Sequence, residues 1–152
     1  MRKPKSIYMG TTQIQTGKTV GQILDLLSRY HAASIRSDYQ NGEIVAISFL
    51  IKVHGRDIPF MLPCRWEAIH DKMHSNRKRA PYKVDLKGEA KKIAWRQIYR
   101  WTEAQLALVD TGMVKIEEVF LPYTLDRSGK TLYQIIEQRG FALEWKKGEK
   151  GE

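Results

Sequence analysis

Two tripeptides, Gly17-Lys18-Thr19 and Gly129-Lys130-Thr131, end as a phosphate-binding loop ends. That loop wraps phosphates in backbone amides and needs another glycine five positions before its second one. Thr12 and Thr124 stand at those positions. A helix N-cap accounts for both segments, and nucleotide hydrolysis is not expected. Glu67, His70 and His74 follow at i, i+3 and i+7, with Cys64 just upstream, so one helix face would present them together to a metal. A dinuclear carboxylate site needs a second Glu-x-x-His helix, and a zinc site needs a further ligand pair. The chain offers neither, so the expectation is a solvated helix face with no metal and no other cofactor. Asp38, Glu43 and Asp57 sit where turns favour acids, which is not the clustered arrangement a metal-dependent nuclease requires. Cys64 beside Arg65 makes a weak nucleophile, and a small buried thiol is the plainer reading. With no complete catalytic motif, the chain is expected not to be an enzyme.

The feature that stands out is charge. The 152 residues hold 26 Lys and Arg against 17 Asp and Glu, a net +9. The segment from Arg65 to Arg100 carries eleven of the cations (Arg65, Lys72, Arg77, Lys78, Arg79, Lys83, Lys87, Lys91, Lys92, Arg96 and Arg100) and only four acids. Concentrated positive charge favours polyanions through counterion release and long-range steering. Lys92, Arg96 and Arg100 repeat at i+4 with Trp95 and Tyr99 beside them. Stacked like charges repel by a few tenths of a kcal/mol per pair, a cost that phosphates would relieve and that a solvated face would tolerate. The sequence leaves both readings open for this stripe. The candidate nucleic-acid-binding residues are therefore Arg77, Lys78, Arg79, Lys91, Lys92, Arg96 and Arg100, with Trp95 and Tyr99 as stacking partners.

The elements that must position these groups read as a single α+β domain over residues 1–145, with a basic exposed connection near 75–88 and a flexible charged tail at 146–152. Composition fits: 42% hydrophobic and 28% charged is what a folded chain shows. Ser6 to Ile14 has β-forming residues and is expected to be a short strand. Val20, Ile23, Leu24, Leu27 and Tyr30 repeat with helical period after a capping-box spacing at Thr19, predicting a helix from about Val20 to His31. Asn41-Gly42 predicts a tight hairpin between Ile35–Tyr39 and Glu43–Val53. His54-Gly55 then turns the chain into Ile58, Phe60 and Leu62, completing a three-stranded antiparallel meander. Helices are expected at Arg65–His74, Glu89–Thr111, Met113–Leu121 and Thr131–Arg139. For the long helix the expected buried stripe is Ala90, Ile93, Ala94, Ile98, Trp101, Ala104 and Leu108, with Gly112 as the stop. This C-terminal group of helices would pack on the sheet.

Two resemblances add to this. Helix, three-strand meander and helix is the order of the double-stranded-RNA-binding domain, and Gly88-Glu89-Ala90-Lys91-Lys92-Ile93-Ala94 resembles the Gly-x-Ser-Lys-Lys-x-Ala segment that opens its second helix. Ala90 replaces the serine, and Arg65 to Leu86 would be an insertion, so the likeness is topological. More broadly, Thr19–Leu27, Ile47–Phe60, Ala94-Trp95-Arg96, Trp101–Ala107 and Val119–Tyr123 resemble a family of small proteins of prophages, plasmids and integrative elements that has no assigned activity. That resemblance implies a mobile-element setting and no site residues.

The functional expectation is a phage or mobile-element accessory protein that binds DNA or RNA with little sequence preference. The rival expectation is a protein-binding module facing an acidic protein surface, such as an inhibitor of host defence or an adaptor in a replication or recombination complex. A lone cysteine and the absence of a secretory leader pattern lead to an expected cytoplasmic location, and no apolar run is long enough to span a membrane. The sequence assigns no oligomeric state.

Overall fold

The computed structural model describes residues 6–76 and 86–142. Its elements are α1 (Thr16–Arg29), β1 (Ser34–Gln40), β2 (Glu43–Val53), β3 (Arg56–Pro63), α2 (Trp66–Asn76), α3 (Leu86–Asp110), α4 (Ile116–Val119), a 3-10 turn (Leu121–Tyr123) and α5 (Leu132–Gln138). The expected α+β architecture is present: an N-terminal helix, an antiparallel sheet in the order β1-β2-β3, then helices. No helix among the described residues is long and apolar enough to cross a membrane.

The sheet forms where turn chemistry and alternation agree. Asn41 and Gly42 take φ of 52° and 78°, and His54 and Gly55 take 49° and 80°, the left-handed values that tight hairpins demand. Between these turns Ile47, Phe49 and Ile51 send alternate side chains into the core, and the register sets Ile35 and Phe60 on either side of Phe49. Each fully buried Phe or Ile here contributes on the order of 1.5–3 kcal/mol. Phe49 lies 5.5 Å from Phe60 and 5.1 Å from Phe120, so the chain beyond α3 is pinned to the sheet through one aromatic. Beyond β3, Leu125 donates its amide to Pro59 and Thr124 bridges Phe60, extending the sheet by a short edge.

Several expectations change: of the helix expected at Met113–Leu121 only Ile116–Val119 is α-helical, and Leu121 opens the 3-10 turn. Ser6 to Ile14 is a turn: the Gly10 amide bonds Ile7 and the Thr12 amide bonds Met9, whose φ of 62° no strand tolerates. Helix α1 begins at Thr16, because Gln15 is already extended and serves as N-cap. Thr19, expected at the cap, lies inside the helix and is fully buried. Helix α3 begins at Leu86, so Leu86 to Gly88 belong to it and not to a connection; residues 77–85 and 143–152, which carry the rest of that connection and the tail, fall outside the described residues. Gly112, with φ of 76°, ends α3 as expected, and Pro122 lies within the 3-10 turn. Thr131 caps α5 with a full capping box to Gln134.

Candidate nucleic-acid interface

Helix α3 carries most of the candidate residues, and its neighbours decide what each can do. Val20, Ile23 and Leu27 bury one face of α1 in the core, and α1 packs beside α3. Gln22, on the same helix, meets Arg96, whose Nη1 donates to Gln22 Oε1 at 2.6 Å. Arg96 is 6% exposed, its Nε has no partner, and it has no carboxylate partner among the described residues. Its guanidinium stacks on the Tyr99 ring, 4.5 Å from the centroid. The centre of the expected basic stripe is thus inside the protein, which corrects its reading as a phosphate-facing row. Stacking on Tyr99 and the Gln22 bond retain the cation there.

Of the remaining cations of α3, Lys91, Lys92 and Arg100 are paired with acids. Lys91 reaches Glu43 at the tip of the β1–β2 hairpin, 2.5 Å away, and its hydrogen bond holds the Glu43 carboxyl below the usual range. Lys91 and Lys87 also lie over the Trp66 ring, at 5.0 and 5.5 Å from its centroid. Lys92 pairs with Glu89 at 3.4 Å and Arg100 with Glu103 at 3.0 Å. The half-exposed Arg100–Glu103 pair is weak and can be exchanged for phosphate, whereas the Lys91 and Lys92 side chains, 18% and 20% exposed, are largely covered.

Trp95 is a second correction. It is 1% exposed and belongs to the core cluster with Ile23, Phe60 and Leu106, so no base can reach it. Tyr99 is half-buried, with Arg96 over its ring and Arg100 5.7 Å from its centroid. Burial and its bond to Glu103 raise the phenol above the ordinary value. Arg77, Lys78 and Arg79 lie outside the described residues.

A groove opens instead on another side of α3, where Gln97, Arg100, Trp101 and Ala104 follow at i, i+3, i+4 and i+7. Tyr8 lines the opposite side of this open, shallow groove of about 430 Å³. The turn at Ile7–Gly10 sets Tyr8 there: a Cβ on Gly10 would come within 2.7 Å of the Ile7 carbonyl oxygen, and Gln97 Nε2 donates to the Tyr8 carbonyl at 2.8 Å. Trp101 stands edge-on to Phe120 and Tyr123 and lines a second groove of about 200 Å³ with Gln97, Leu62, Pro63, Ile98 and Tyr123. Sequence reasoning had placed Trp101 and Ala104 in the buried stripe, yet Ala104 is exposed and Trp101 half-exposed. Nothing in the sequence connects Tyr8 to α3.

Elsewhere the chemistry is quiet. Among the described residues no three His, Cys, Asp or Glu side chains converge as metal ligands. His70 and His74 stack on each other along α2, and His70 also meets Trp66 edge-on. Cys64 is buried, and burial pushes its thiol up to about 12. A groove on the open sheet face holds Arg36 and Arg127, but Asp38 takes Arg36 at 2.6 Å and Asp126 sits in the same wall, leaving little net charge. Compared with known proteins, the chain matches no family model, no curated protein and no solved structure.

Proposed function

We propose that the protein is a non-enzymatic accessory factor of a phage or mobile element that binds nucleic acid with little sequence preference. The observation that carries this reading is the concentration of charge: eleven of the 26 Lys and Arg fall between Arg65 and Arg100, against four acids. Arg2, Lys3 and Lys5 precede the first described residue, and Arg77, Lys78, Arg79 and Lys83 lie between α2 and α3. The described residues nearest to these segments converge: Ile7, Met73 and Leu86 pack in one apolar cluster with Ala90 and Ile93. Exposed Lys87 stands beside that cluster, next in the chain to Leu86. Phosphate contacts fall to Arg77, Lys78, Arg79, Lys87 and Arg100.

The test is fluorescence anisotropy with single- and double-stranded DNA and RNA at two salt levels. Binding that weakens with salt is expected, and the triple variant Arg77→Ala, Lys78→Ala, Arg79→Ala should lower the salt slope by roughly 2 to 3. Absence of binding at low salt refutes the proposal. A protein-binding role is the second reading, favoured by exposed Leu121, Tyr133 and Phe141 around α5. Capture of a host partner that survives nuclease treatment, with no binding to bare nucleic acid, would select it.

A further inference from the structure

We infer that the groove between Tyr8 and α3 is a stacking site for an unpaired nucleobase, which makes the preferred ligand single-stranded nucleic acid. The inference rests on the nucleic-acid reading above and gives it a location. Base stacking needs an aromatic face that solvent can reach, and Tyr8 is 63% exposed, the most open aromatic near α3. Its backbone is fixed, because the Gly10 turn and the Gln97 bond hold residues 7–10 against the helix. Little ordering entropy is then lost when a base arrives. Ala104 keeps the groove floor low, and Trp101 adds a second aromatic surface along its length.

The polar groups suit a nucleotide. Gln97 commits its Nε2 to Tyr8, which leaves Oε1 as an acceptor for a base amino group. Arg100 borders the same groove and is held by Glu103, itself half-exposed, and by a longer contact with the Tyr99 ring, so its guanidinium can move to a phosphate. A duplex hides its base faces and gains nothing from Tyr8. In the groove on the sheet face the lining aromatics, Phe49 and Phe60, are buried in the core and the arginines face Asp38 and Asp126, so it offers no such site.

The experiment compares wild type, Tyr8→Ala and Tyr8→Phe against fluorescein-labelled oligothymidylate and a duplex of equal length, with folding checked by circular dichroism. Wild type should favour the single strand. Tyr8→Ala should weaken single-strand binding about ten-fold and leave duplex binding unchanged, while Tyr8→Phe should keep both. If the wild type binds with salt dependence and Tyr8→Ala matches it on the single strand, the stacking site is refuted and the nucleic-acid reading stands. If no nucleic acid binds, both fall together.

Discussion

Two successive stretches of α3 carry the same ingredients and meet opposite fates. Lys92, Trp95 and Arg96 offer cations with an indole, and so do Arg100 and Trp101 a turn later. The first set turns toward α1 and the sheet: Trp95 fills the core and Arg96 is enclosed against Gln22. The second meets the short Ile7–Gly10 turn, the end of β3 and the chain from Phe120 through the 3-10 turn, which cover it in part and leave grooves. Residue type says what a helix could do, but the element packed beside it decides which side may do it.

The sharpest way to break this contrast is Trp95→Ala. A fully buried indole leaves a cavity that its neighbours in the core cannot close, so urea denaturation should show a loss of about 3–5 kcal/mol. A loss below about 1 kcal/mol would mean that the inner set is as open as the outer one.

Next in size is Arg96→Met. The substitution removes a buried cation that has no carboxylate partner among the described residues and keeps most of the side-chain volume. Replacing such groups by apolar ones is often neutral or stabilising, so stability should stay level or rise by about 1 kcal/mol, with nucleic-acid affinity and salt slope unchanged. A reduced salt slope would put Arg96 on a phosphate and overturn its interior placement.

What the sequence made legible follows from how local the cause was. The hairpins at Asn41-Gly42 and His54-Gly55 were readable because two adjacent residues dictate positive φ whatever surrounds them. Thr131 and Gly140 bounded α5 for the same reason. The facing of α3 was not readable. With 3.6 residues per turn, Trp95 and Trp101 lie on different sides, and both sides hold enough apolar residues to form a buried stripe. Burial of Trp95 depends on α1, more than sixty positions away, and Arg96 had no local mark distinguishing it from Arg100. Tyr8 was hidden for a further reason: residues 6–14 have strand-like composition, and it is the contact with Gln97 that sets the turn against α3.

The smallest expected effect sharpens the contrast on its open side. Glu103 accepts from Tyr99 and Arg100, and these two, Tyr99 foremost, hold its carboxyl below the ordinary glutamate value. A carboxyl whose folded value is depressed adds stability above the unfolded value, and that stability is lost as pH falls through the folded value. The wild type should thus lose a little thermal stability below about pH 4.3 that Glu103→Gln does not lose, a difference kept small by solvent screening at this half-exposed pair. The same variant frees Arg100, so if the groove side meets phosphate, its salt slope for single strands should steepen by up to about 0.7 at neutral pH. An unchanged slope together with the altered acid limb would leave Glu103 as a clamp on Tyr99 and remove Arg100 from the phosphate contacts.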